Sequence, residues 1–314
     1  MSRQTEKMFK EFDRFMQENG NIEISGEDEL NQALKTFMSQ YQPNNDDVET
    51  ADDYLELAES ADTKKEALKY AKKAAELEPD NLDAAAMVIE LSCTSSEKLS
   101  EKYKNLIDET EDKLKEQGYF EDDNIGEFWL IFETRPYMRL LEKYASHFVE
   151  CGQMRLAISV YEKMLELCTN DNLGVRYTLM HLYIYLEDEQ SALELYEKYP
   201  EESTQFLLPL SILYYKLGDL RKSNQYLKKL IEVNEDTRKF FNSLIDGSLM
   251  ESVGDMTPYG YRPFTIEDFV IECKENYFLF SSMPEYFVWA KKKVNSNRTQ
   301  VRFVITHHLQ EWES

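Results

Sequence analysis

A small side chain returns at one fixed place in successive helix-length blocks, and that recurrence leaves few folds open. Ala67, Ala71, Ala74 and Pro79 stand four, three and five residues apart. Small residues at helical spacing let a second helix approach closely, and the proline ends the helix. A second block carries Tyr144, Ala145 and Phe148, then Gly152, then Ala157, Tyr161 and Leu167. A third carries Leu179, Tyr183, Leu186, Ala192 and Tyr196. The fourth has Leu210, Tyr214, Leu217 and Gly218, then Ser223, Leu227 and Leu230. Ala157 to Ala192 is 35 residues, and Ala192 to Ser223 is 31, shortened where Pro200 ends a helix early. Each block reads as a helix hairpin that cannot bury its apolar stripe alone, so neighbouring hairpins must stack.

Composition agrees. With 10 glycines and 8 prolines in 314 residues, the chain is short of the turns a β-sandwich or barrel needs. The net charge of −24 repels phosphate and anionic lipid, which argues against nucleic-acid and membrane partners. The charge is uneven. Residues 1–127 hold 15 Lys+Arg against 33 Asp+Glu, which is −18 of the total. At the other end, Lys291, Lys292, Lys293, Arg298 and Arg302 face only Glu311 and Glu313. Both features read as solvated surface, or as an acidic half that rejects wrong partners and a basic tail that docks on an acidic neighbour. No secretory signal and no apolar membrane span is present, and Cys93, Cys151, Cys168 and Cys273 form no CxxC pair. The expectation is a cytoplasmic protein with buried, reduced cysteines.

The small–large–small spacing and the terminal proline resemble the tetratricopeptide-repeat superfamily over about residues 50–92 and 136–245. The resemblance implies an all-α fold, a solenoid of antiparallel helix hairpins. One part is more specific. Glu133-Thr-Arg-Pro-Tyr-Met-Arg139 opens one block, and Asn170-Asp-Asn-Leu-Gly-Val-Arg-Tyr177 opens the next. This pairing is similar to a group of uncharacterised bacterial tetratricopeptide proteins, and more distantly to the vertebrate suppressor-of-tumorigenicity proteins. It implies a repeat fold and brings no known chemistry with it.

Four regions follow: an N-terminal helical pair (1–43), divergent first repeats with a long charged helix (44–127), the repeat core (128–245) and an irregular helical C-terminal segment (246–314). In the first, Met8, Phe9, Phe12, Phe15 and Met16 lie at helical spacing, as do Leu30, Leu34, Phe37 and Met38. That stripe reads as a cap on the array or a docking face. Pro43 to Asp47 is linker-like. In the last region, helices are expected over 265–280 and 283–294, while 299–306 alternates and reads as a strand or a helix end.

In such arrays the first helix of each hairpin lines the inner face. The groove positions are then Arg139, Glu142 and Ser146 in one block, Arg176, Tyr177, His181 and Tyr185 in the next, and Leu208, Ile212 and Tyr215 in the last. Arg139 and Arg176 could clamp a carboxylate of a partner. The competing reading pairs Arg135, Arg139 and Arg176 internally with Glu133, Glu142 or Asp171. No HExxH, GxSxG, phosphate loop or dinucleotide loop occurs, so no metal, cofactor or catalytic site is expected. A nucleophilic Cys151 or Cys168 would need a basic neighbour. The function expected is a non-catalytic interaction scaffold holding a protein or peptide segment in its groove. The alternative is a regulatory receptor for a short peptide or small signal. Residues 1–50 lack a basic recognition helix, which weighs against a DNA-binding regulator. The identity of the partner is open, and so is homo-oligomerisation, through the array's edges or its N-terminal pair.

Overall fold

A computed structural model describes residues 50–249 and 262–296, together with 33–38, Met8, Phe12, Phe15, Met16 and Glu251. The protein is an all-α repeat of antiparallel helix hairpins, and no strand runs through the described residues. The helices are α1 (Ala51–Glu59), α2 (Lys64–Leu77), α3 (Leu82–Ser92), α4 (Ser96–Glu116), α5 (Arg135–Glu150), α6 (Met154–Leu167), α7 (Val175–Tyr185), α8 (Glu189–Lys198), α9 (Thr204–Lys216), α10 (Leu220–Val233), α11 (Thr237–Asp246), α12 (Ile266–Glu275), α13 (Tyr277–Phe280) and α14 (284–296). They gather into two compact units, Met1–Gln153 with Glu166–Asn170, and Met154–Leu165 with Asp171–Ser314.

In the first unit α1 packs on α2 and α2 on α3, while α3 and α4 both pack on α5. The small residues do what their spacing predicts: Ala71, Ala74 and Ala84 are fully buried and let α1, α2 and α3 close on one another around Leu55. Helix starts are fixed by polar caps. Thr50 and Asp53 form a reciprocal capping box, and Thr63, Asn81 and Ser95 each accept a backbone N–H of the first turn. Each such cap contributes about 1 kcal/mol. Of the described residues of the N-terminal pair, Phe12, Ala33 and Phe37 form a small core with Met8, Phe15, Met16 and Leu34 beside it, while Met38 is exposed. The linker at Pro43–Asp47 lies outside the described residues.

In the second unit α7 packs on α8, α9 on α10, and α7 on α9. Ser223 takes the small-residue place of Ala192. Its hydroxyl donates to the Ser211 carbonyl at 2.7 Å, and the Ser211 hydroxyl returns a bond to the Ser223 carbonyl at 2.9 Å. Glycine supplies the left-handed backbone after α5 (Gly152, φ 72°) and after α9 (Gly218, φ 78°), but after α7 the same conformation falls on Glu187 (φ 61°). Downstream, the helix expected over 265–280 breaks at Asn276 into α12 and α13, while α14 agrees with the stretch expected over 283–294. The alternating stretch 299–306 lies outside the described residues.

The cysteine expectation needs correction. Cys168 is buried, but Cys93 and Cys273 are half-buried and Cys151 is exposed, at the end of α5 where the helix meets solvent. No helix among the described residues is long and apolar enough to cross a membrane.

Candidate interaction surfaces

The two sequence motifs turn out to be built into helix starts. Thr134 donates to the carbonyl of Phe128, and Pro136 sits in the first turn of α5, where its missing N–H costs nothing. Arg135 is buried. Its Nε donates to the Trp129 carbonyl at 2.7 Å and its guanidinium lies 4.1 Å from the Phe132 ring. Arg139 forms a two-pronged pair with Asp83, Nε to Oδ1 at 2.9 Å and Nη2 to Oδ2 at 2.6 Å. Asp171 accepts the backbone N–H groups of Val175 and Arg176, each at 2.9 Å, and the Arg176 guanidinium at 3.0 Å. Arg176 also reaches Glu201 at 3.2 Å and stacks 4.2 Å from Tyr177. All three arginines therefore have partners within the chain. Arg139 thus pairs with Asp83 of α3. Glu142 accepts the Ser146 hydroxyl at 2.9 Å.

Tyr177, His181 and Tyr185 lie four apart on one face of α7, which stacks on α9, the helix that carries Leu208, Ile212 and Tyr215. That face is covered. The C-terminal helices lie on it: α13 packs against α7, and α12 against α9. The Tyr185 ring meets Phe278 at 5.6 Å, and Tyr215 meets Tyr286 at 5.4 Å and Trp289 at 5.3 Å. The Tyr286 hydroxyl, fully buried, donates to Ser211 at 2.9 Å. His181, Leu208 and Ile212 are 0% exposed, so a partner segment does not reach them in this structure.

The centre of this covered face is polar. His181 Nδ1 donates to the Tyr177 carbonyl at 2.8 Å, which turns Nε2 toward Glu272 Oε2 at 3.0 Å, with both side chains buried. The two side chains are in close contact there without a hydrogen bond at Nε2. One turn away, Asp268 Oδ2 accepts the Phe264 N–H at 2.8 Å and the Thr204 hydroxyl at 3.1 Å, with the Asn234 amide at 3.3 Å. Burial pushes the Asp268 carboxyl up, those donors pull the other way, and Glu272 adds to the rise.

An open groove exists elsewhere, within the first unit. It has a volume of about 1060 Å³ and runs between the α2–α3 turn, the second half of α4 and the start of α5. Glu78, Asp80, Glu109 and Glu133 stand along it, all exposed, with Lys113 and the mutually neutralised Asp83–Arg139 pair. Apolar surface comes from Pro79, Leu106, Pro136 and Phe132, whose ring is 44% exposed. Of the residues expected to form a groove, only Arg139 lines this one. The sequence signal for it was the acidic excess of residues 1–127, which composition alone could not separate from ordinary solvated surface.

Among the described residues no group of three or more His, Cys, Asp and Glu side chains is arranged to hold a metal ion. Cys151 does have a histidine beside it: His147 Nδ1 and Nε2 lie 3.9 and 3.7 Å from Sγ, and Nε2 also lies 3.2 Å from the Ser96 carbonyl and 3.0 Å from the Ser100 hydroxyl.

No protein-family model matches this sequence, and no curated protein matches it either. Among solved structures it is similar to the crystal structure of a tetratricopeptide repeat protein from Parabacteroides merdae, at 17% identity over 77% of this chain and 98% of that one, with a TM-score of 0.41. The assignment to a helix-hairpin repeat rests on the hairpins described above.

Proposed function

We propose that this protein is a non-catalytic interaction scaffold, and that the groove of its first unit holds a segment of a partner protein. One observation carries this reading: the chain's own C-terminal helices pack on α7 and α9, while the groove beside α4 and α5 is open and mixes carboxylates with an exposed aromatic ring. Helical repeats expose surfaces of this kind to bind extended or helical segments. An exposed mixed surface also differs from a small-molecule site, which is more enclosed and mostly apolar.

A photoreactive p-benzoylphenylalanine in place of Gln117, an exposed residue on the groove wall, tests the reading. The same group in place of Glu101, exposed on α4 but away from the groove, is the control. In cell extract the Gln117 position is expected to give a discrete adduct that the Glu101 position does not. Equal yields from both positions would remove the groove from the account.

A further inference from the structure

We infer that the segment taken by this groove is cationic, carrying Arg or Lys side chains beside an apolar anchor. This rests on the scaffold reading above and names the class of partner. The argument is one of charge left over. Asp83 and Arg139 cancel each other through their two-pronged contact, which engages the one guanidinium among the described lining residues. Asp80, Glu109 and Glu133 make no ion pair among the described residues, and the Glu78 carboxylate accepts only from the Asn81 amide. Among the described residues that line the groove, Lys113 is the one cation left to oppose these four. The groove therefore keeps a negative field inside a half that already carries −18 of the chain's −24 charges.

The apolar side chains complete the requirement. Phe132, whose ring already meets the buried Arg135 guanidinium at 4.1 Å, is 44% exposed and offers an apolar contact beside the Glu133 carboxylate, which can pair with a cationic side chain. Pro79, Leu106 and Pro136 offer a surface for an aliphatic residue. An acidic segment would meet repulsion along the whole groove, and like charges placed together are an effective means of rejecting wrong partners.

Three fluorescent peptides test this. They share their Leu and Gly residues and differ in carrying Arg, Gln or Glu at the remaining positions. Binding is read by fluorescence polarisation to the full chain, and its location by crosslinking from the Gln117 photoprobe. The Arg peptide is expected to bind and crosslink, to weaken as salt rises, and to exceed the Gln peptide by about tenfold or more. A variant with Glu78→Gln, Asp80→Asn, Glu109→Gln and Glu133→Gln is expected to lose that advantage at unchanged thermal stability, since all four side chains are exposed. A second variant, Glu101→Gln, Asp112→Asn, Glu116→Gln and Asp122→Asn, makes the same change in net charge away from the groove and is expected to keep it.

Equal loss in both variants would overturn the inference, because only the overall field would then matter. Preferential crosslinking of the Gln or Glu peptide would overturn the cationic class and leave the groove reading standing. No crosslink from any peptide, together with no Gln117 adduct in extract, would overturn both.

Discussion

The inner face of α7 and α9 and the groove beside α4 and α5 are made from the same kind of hairpin, yet they end in opposite states. The first carries tyrosines and a histidine and is sealed by Phe278, Phe280, Tyr286 and Trp289 of the chain's own C-terminal helices. The second carries exposed carboxylates and one exposed phenylalanine, and it stays open. Aromatic residues on a repeat's inner face thus fit internal docking as well as they fit a ligand. Bare like charges are different: they do not pack against one another, so a folded chain has no use for them in its own core. The polar surface left over is the better guide to an interaction site.

The largest test of this contrast is His181→Ala. It leaves the buried Glu272 carboxylate without its close partner and opens a cavity, which is expected to cost about 3–5 kcal/mol. Thermal or urea unfolding would show it as a large fall in midpoint. Glu272→Gln, which retains shape and a polar contact, should lose much less. A His181→Ala variant as stable as the wild type would mean that α12 and α13 are not part of the folded second unit. In the open groove the same kind of truncation should be mild. Arg139→Ala leaves Asp83 facing partial solvent, for an expected loss of about 1–2 kcal/mol, and it adds one uncompensated negative charge. Binding of the Arg peptide should therefore strengthen as stability falls. Weakened binding would show that Arg139 touches the ligand after all.

Much of this fold was legible in the sequence because the signals are local. Ala71, Ala74, Ala157 and Ala192 are fully buried, as small residues at close helix contacts must be, and Gly152 and Gly218 take the left-handed turns expected of them. That Tyr177, His181 and Tyr185 share one face of α7 is also local, since it follows from their spacing of four. The covering of that face is not local. His181 and Glu272 are far apart in the chain, and no spacing rule links them. The groove was harder still, since Asp80, Glu109 and Glu133 come from three segments that only packing brings together. The arginines were ambiguous for the same reason. The contact that settles Arg139 is with Asp83, more than one hairpin away.

The covered face should also show in its pH dependence. Burial holds the Asp268 carboxyl above its ordinary value. A carboxyl raised in the folded state binds its proton more tightly there than in the unfolded chain. Its contribution to stability is complete below about pH 4 and is lost as pH rises through the folded value. Asp268→Asn removes that titration. Measured from pH 4 to 7, the melting temperature of the variant relative to the wild type is expected to climb with pH. Parallel curves would show that the Phe264, Thr204 and Asn234 donors offset the burial completely.

The smallest effects concern the turn that leads away from the covered face. Glu187 holds a left-handed backbone (φ 61°) at the place where the other two hairpins use Gly152 and Gly218. Glu187→Gly relieves about 1 kcal/mol of backbone strain, but the added freedom of the unfolded chain takes back most of it. It also removes a 3.4 Å contact with Lys216, whose exposed partner makes the pair worth little. The net change is expected to be within about 0.5 kcal/mol. Gly218→Ala has no such offset: space around it is open, yet the φ of 78° is strained for any side chain, and a loss of about 1 kcal/mol is expected. Equilibrium unfolding of the two variants separates the alternatives. A loss of a full kcal/mol or more in Glu187→Gly would mean that the Lys216 contact matters more than the turn. Lys216 also donates to the carbonyls of Ile184 and Tyr185 at 2.9 and 2.7 Å, closing the C-terminal end of α7. A large effect at Glu187 would then report on how firmly that helix end is held beneath Phe278, and would tie the turn to the covered face.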